Sequence, residues 1–310
     1  MTESRPKAVP DRRRPLPRRR PVQVLRGPIK RDRTLAASKT WVIGGEVRVA
    51  RGVTLTIADR ATILVANGPV PKSRIRRAAL VFDAGSKLVA TRFTVRACGA
   101  DHRPARSADN GGIWFLGTFA AGAKDGIAVA KTRRGPPSSF QARSISVSYL
   151  GRRDPASNAQ GGDDIDGISL LGVGPGEWGV SAVRSVRSGD DGFDVTNSHV
   201  RIDRLEVRNP VEDGLNVSSS RLEIRRSLVL DVGRSREGDR DLFDLETDDG
   251  ASRVVLMKGC RVRVRGVFGD QLRLTSVDMP RPRTDADNER WYEFSGRLTD
   301  DAVILSRTAD

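Results

Sequence analysis

Carboxylates crowd into three short segments of the chain: Asp163, Asp164 and Asp166, then Asp190, Asp191 and Asp194, then Glu212 and Asp213. Each segment contains an Asp-Gly pair, at Asp166-Gly167, Asp191-Gly192 and Asp213-Gly214. A single Asp-Gly is enough for a chain reversal, because glycine adopts positive φ and the aspartate bonds the turning backbone. The doubling to Asp163-Asp164, Asp190-Asp191 and Glu212-Asp213 adds like charge that a turn does not need, and so points to a proton or a cation in use there. Carboxylates about 5 Å apart do not all ionise at neutral pH. A carboxyl with a raised pKa beside an ionised one is the pair that general acid/base cleavage needs, and inverting glycosidases set such groups ~6.5–9.5 Å apart. On this reading Asp166, Asp190 and Asp191 are catalytic, while Asp213, Arg184, Arg187 and Arg208 contact an acidic substrate, the arginines gripping its carboxylates or sulfates in pairs of bonds. The same oxygens are also hard ligands. Asp163, Asp164, Asp190 and Asp191 form a candidate Ca2+ site, an ion that takes six to eight oxygens.

What must position these residues is legible in the spacing. Beyond residue 40 the chain consists of short alternating apolar segments, such as Val47/Val49, Leu55/Ile57 and Ile63/Val65, with little 3.6-residue periodicity. The pattern is all-β. An Asp-Gly-apolar-x-apolar unit recurs at Asp125, Asp166, Asp191 and Asp213, with a glycine-free copy at Asp241, and the last four copies begin 25, 22 and 28 residues apart. Self-similarity at this period predicts a solenoid. Its outward positions are free to be charged, as in Arg261-Val262-Arg263-Val264-Arg265.

The stretch from Gly167 through Val195, continued by Glu212-Asp213-Gly214-Leu215-Asn216-Val217, resembles the right-handed parallel β-helix proteins of the pectate-lyase-like class. That resemblance covers about residues 41–276 and implies a single-stranded solenoid of ~22–25-residue coils with terminal caps. Asp164-Ile165-Asp166-Gly167 followed by Gly189-Asp190-Asp191 is also similar to the motif pair of polygalacturonase-type glycosidases, which implies Asp190 as acid and Asp166 with Asp191 as activators of water. Where that family has Gly-His-Gly on the next coil this chain has Glu212-Asp213-Gly214, and His199 is out of step with the missing histidine. Resemblance to Ca2+-dependent pectate lyases implies instead a bridging Ca2+ and an arginine base, with Arg184, Arg187 and Arg208 as the candidates.

Composition narrows the remainder. The 310 residues carry a net charge of +15, of which +10 lies in residues 1–40, where 13 Lys/Arg face three carboxylates among six prolines. This predicts a disordered Arg/Pro-rich tail over 1–33 ahead of a β-helix domain over 34–310. Such a tail suits nucleic acid or another polyanion. Only two cysteines, Cys98 and Cys260, and two histidines, His102 and His199, are present, which excludes disulfide frameworks and histidine-rich metal sites. Both cysteines read as core fillers. No segment is long and apolar enough for a membrane helix, and the N-terminus lacks the apolar stretch of a secretory signal, which leaves the cytoplasm as default although proteins of this architecture are often extracellular. Trp291, Tyr292 and Phe294 read as the cap of the last coil, and Trp41 as part of the first. Loops are expected at 101–112, 131–139, 151–164, 233–240 and 277–290. The function that follows is binding, and possible cleavage as hydrolase or Ca2+-dependent lyase, of an acidic polysaccharide; the alternative is a non-enzymatic module that docks to a polyanion through its basic tail.

Overall fold

The computed structural model describes residues 20–124, 127–129, 136–152, 165–233, 240–282 and 290–306. Alternation of branched apolar with polar residues makes strands whose every second side chain is buried, as in Glu46–Val49 and Thr54–Ile57. No helix occurs among the described residues, and so none there is long and apolar enough to cross a membrane.

The strands form three principal sheets, two of them wholly parallel. One stacks seven strands, from Glu46–Val49 through Ala79–Phe82, Ile113–Leu116, Ile168–Leu171, Asp194–Thr196 and Leu215–Ser218 to Phe243–Glu246. A second stacks Arg33–Leu35, Thr54–Ile57, Lys87–Ala90, Ser139–Ala142 and Trp178–Val180. The third has 13 strands and includes Thr40–Ile43, Ala61–Ala66, Arg92–Cys98, Ser144–Ser148, Ala182–Val186, His199–Arg208 and Arg221–Asp231. As far as Ala182–Val186 the chain enters the three sheets in repeating order, and beyond it alternates between the 13- and seven-stranded sheets, so that up to Arg261–Val267 strands pair in parallel with their counterparts one round earlier. In the seven-stranded sheet this gives the row Phe115, Leu170, Val195, Val217, Leu245. All five are buried. Phe82 stacks on Phe115 at 5.1 Å between ring centroids, and Trp178 meets Phe115 edge-on at the same distance. Each such side chain contributes roughly 1.5–3 kcal/mol on burial.

At the C-terminal end the direction reverses. Trp291–Arg297 runs antiparallel to Arg261–Val267, and Ala302–Ser306 runs antiparallel to both Arg253–Leu256 and Leu272–Thr275. Tyr292 lies 5.0 Å from the Phe268 ring and covers the end of the core, while Cys98 and Cys260 are buried thiols pushed up to about 11 by burial. Trp41 is buried too, its indole N–H donating to the Ala36 carbonyl.

Three expectations need correction. Ordered structure begins before residue 34: Val22–Leu25 pairs with Thr40–Ile43, and Leu25 and Ile29 reach the core, because the chain beyond Pro21 supplies the apolar residues the arginine run lacks. Residues 1–19 lie outside the described residues, as do 131–135, 153–164, 234–239 and 283–289 of the expected loops. The outward positions of the seven-stranded sheet are not all polar: Val81, Trp114, Leu116 and Leu171 join Ile75, Ile127, Val129 and Ile165 in a second apolar layer over that face. Lastly, Gly167, Gly192 and Gly214 have no positive φ. They are glycines because the passes stack too closely for a side chain. A Cβ on Gly192 would stand 2.1 Å from Val207 Cγ1 and 2.6 Å from the Gly214 carbonyl oxygen. Left-handed backbone sits instead at Tyr149, Arg187 and Asn209, which follow one another pass by pass.

Candidate functional site

Residues 187–193 join the 13-stranded sheet to the seven-stranded one, and the corner is built by bonds to the next pass. The Asp213 amide donates to Asp191 Oδ1 at 2.9 Å, and the Asp241 amide donates to Asp213 Oδ1 at 2.5 Å. Ser188 Oγ donates to the Asp190 and Asp191 carbonyls, which fixes the turn. The repeated aspartate is therefore a staple between successive passes. Asp166 breaks the pattern. It accepts no amide from the following pass; its Oδ2 receives Ser169 Oγ and Lys124 Nζ, each at 3.2 Å, and its Oδ1 has no hydrogen-bond partner although the residue is only 1% exposed.

In place of a staple, Asp166 faces other carboxylates. Oxygens of Asp166, Asp190 and Asp191 lie within 4.8 Å of one another, and all three residues are buried. Burial, then the charges of Asp166, Asp213 and Asp190, pushes the Asp191 carboxyl well above the usual range, opposed by Lys124. Asp194, on the outward row of the seven-stranded sheet between Ser169 and Asn216, is fully buried and pushed up to about 7, chiefly by burial. Lys124 Nζ reaches its Oδ1 at 2.8 Å and so bridges Asp166 and Asp194.

Of the residues singled out from the sequence, Asp166, Asp190 and Asp191 come together, and Asp213 adjoins them through Asp191. Their oxygens are closer than the gap expected for a water held between two carboxyls. Arg187 is in place beside them: its guanidinium lies 5.7 Å from the Tyr149 ring centroid and it lines a groove of about 500 Å³ with Arg106, Tyr149, Ser188, Gly189, Asn209 and Arg240. Arg184 and Arg208 go elsewhere. They stand on the outer face of the 13-stranded sheet, both on Glu206, at 3.1 and 2.6 Å. Asp163 and Asp164 lie outside the described residues. His199 is near Glu223 at 3.7 Å, and Trp114 and Trp178 are buried.

Lys124 and Asp194 complete the cluster. Asp194 is visible as a third carboxylate after Asp190-Asp191, but Lys124 is 42 and 70 residues from its two partners and carries no local signal. It arrives on a short hairpin, Gly122–Lys124 with Ile127–Val129, laid over the seven-stranded sheet by the apolar layer around Trp114. Comparison with family models, with characterised proteins and with solved structures yields no match for this chain.

Proposed function

We propose that the chain is a single-stranded right-handed parallel β-helix of the pectate-lyase-like kind that cleaves glycosidic bonds in an acidic polysaccharide at the Asp166/Asp190/Asp191 corner. The observation that carries the reading is the broken staple: Asp213 and, through its amide, Asp191 serve the stacking, whereas Asp166 leaves an oxygen unbonded and turns toward two more buried carboxylates. The ~22–28-residue spacing of the aspartates and the parallel stacking of successive strands in each sheet support the solenoid.

In this reading Asp191, its carboxyl pushed up chiefly by burial, holds the proton that goes to the leaving glycosidic oxygen, while Asp166, with the Lys124 ammonium at 3.2 Å, adds to the anomeric carbon; water then displaces Asp166 from the sugar and gives its proton back to Asp191, the retaining route that carboxyls this close suit. Asp191 thus takes the role that motif resemblance gives to Asp190. Arg106, Arg187 and Arg240 line the adjoining groove and suit the acid groups of the polymer. Of the candidate Ca2+ ligands, Asp163 and Asp164 lie outside the described residues, and at the described corner the Lys124 ammonium, 3.2 Å from Asp166, supplies positive charge.

The test is an assay of the full chain on uronate-rich and sulfated polysaccharides, with new reducing ends and unsaturated uronate products followed separately. Hydrolysis releases reducing ends without the unsaturated product, and Asp166→Asn and Asp191→Asn each lose about 10²–10⁴-fold in rate while still binding the polymer. Full activity in both variants, or no cleavage of any acidic polymer, overturns the reading.

A further inference from the structure

A second groove lies on the outer face of the 13-stranded sheet. It measures about 590 Å³ and is lined by Arg204, Arg225, Arg226, Ser227, Lys258, Gly259, Arg261 and Arg297. All six cationic residues are exposed. The register explains their convergence. Arg204, Ser227, Arg261 and Arg297 face one another across four neighbouring strands, so the small Ser227 forms a floor between flanking arginines. With strands about 4.8 Å apart, the Arg204 and Arg261 backbones stand ~10 Å from each other. Just before Ser227 the pairing slips by one residue, placing Arg225 and Arg226 opposite Asp203 alone and turning two consecutive guanidinium groups toward the same space.

Many cations elsewhere on this face are matched, Arg253 and Arg263 being exceptions among the described residues. Arg184 and Arg208 share Glu206, Arg208 and Arg265 share Asp231, and Arg201 and Arg221 share Glu223. In the groove the matching stops: among the described residues Arg204, Lys258, Arg261 and Arg297 have no ion pair within 4 Å. Holding so many unpaired cations together costs free energy, and that cost is offset when an anion with several oxygens lies between them. No aromatic side chain lines the groove, so it offers no platform for stacked bases.

We propose that this groove is an exosite for the sulfate groups of a sulfated polysaccharide, whose tetrahedral oxyanions accept from several guanidinium groups at once. The choice of a glycan rests on the function proposed above; the groove's anion specificity does not.

The experiment measures binding of the full chain to heparin, to the carboxylate-only polymer polygalacturonate and to a DNA duplex at about 0.15 M and at higher salt. Two variants accompany it: Arg204→Ser/Arg261→Ser/Arg297→Ser, and the tail variant in which Arg12, Arg13, Arg14, Arg18, Arg19 and Arg20 become Ser. The groove variant is expected to keep the parental melting temperature, to lose at least about tenfold in heparin affinity and to show a salt dependence shallower by roughly 2–3 charges. Heparin is expected to bind more tightly than the other two polymers. Loss confined to the tail variant overturns the exosite. Tighter binding of the duplex through the same three arginines overturns the glycan assignment. An Asp166→Asn/Asp191→Asn protein separates this proposal from the catalytic one: it is expected to bind heparin as the parent does, whether or not the parent cleaves any polymer.

Discussion

Two regions of this molecule gather carboxylates, and they treat them in opposite ways. On the outer face of the 13-stranded sheet Glu206, Glu223 and Asp231 are each set between cations. Glu223, its side chain 4% exposed, lies 2.6 Å from both Arg201 and Arg221, and their bonds hold its pKa below the usual range against the pull of burial. Glu206 is held down in the same way by Arg208 and Arg184. At the corner, Asp191 and Asp194 are fully buried, face Asp166, share the single ammonium of Lys124 and are pushed up. An all-β stack thus neutralises charge where it needs only stability and withholds neutralisation at one corner. The difference fixes how each region answers to pH. Glu223 and Glu206 add stability that is present above their unfolded pKa and lost as pH falls through the folded one. Asp191 and Asp194 add stability that is complete below about pH 4 and lost as pH rises, for Asp194 toward about 7.

The largest break in this contrast comes from removing the corner's cation. Lys124→Met leaves Asp166 and Asp194 facing each other without an ammonium, and is expected to cost about 3–5 kcal/mol at pH 8, the range for half of a buried pair. Because neutral carboxyls need no counter-charge, chemical denaturation at pH 4 is expected to show most of that loss gone. A loss equal at both pH values means that Lys124 acts through packing alone.

Next comes one isosteric exchange made at two buried acids. Glu177 is 5% exposed and accepts from the amides of Thr118, Ser138 and Gly174 and from the Thr118 hydroxyl. Glu177→Gln turns an acceptor into a donor among donors, at a cost of about 2–3 kcal/mol. Asp191→Asn keeps Oδ1 for the Asp213 amide and removes a charge that the corner resists, so its stability equals the parent's near pH 4 and exceeds it increasingly toward pH 7. Opposite signs are the expectation. A destabilised Asp191→Asn at pH 7 means that the corner favours the ionised acid.

How much of this was legible in the sequence follows from which interactions are periodic. Val195, Val217 and Leu245 announce the stack because an inward ladder repeats with each pass, and Asp166, Asp191 and Asp213 announce a common corner for the same reason. What occurs once is invisible: Lys124 reaches the corner through a hairpin with no counterpart among the described residues, and Trp114, on an outward row, is buried because Ile127 and Val129 join it in a second apolar layer. The glycines show a third limit. Asp-Gly reads as a left-handed turn, yet Gly192 is required by the contact with Val207 and Gly214 on the next pass, a distance no local rule contains. Gly192→Ala therefore tests stacking rather than turn geometry. It is expected to cost about 1–3 kcal/mol, as other overpacked sites do, and Val207→Ala is expected to relieve part of it. Failure of that rescue places the strain in the backbone of the turn.

The smallest effect belongs to the outer face. Glu206→Gln removes an acid 31% exposed in its side chain and bonded to Arg184 and Arg208. Pairs so open to solvent contribute under about 1 kcal/mol, and Arg208 still has Asp231 at 3.6 Å. Thermal unfolding in low and high salt is therefore expected to separate the variant from the parent only slightly in the former and not at all in the latter. Glu223→Gln, with its side chain buried between Arg201 and Arg221, is expected to cost more and to lose less of that cost to salt. If both behave alike, burial does not distinguish acids on this face, and the contrast with the corner narrows to the number of cations each carboxylate meets.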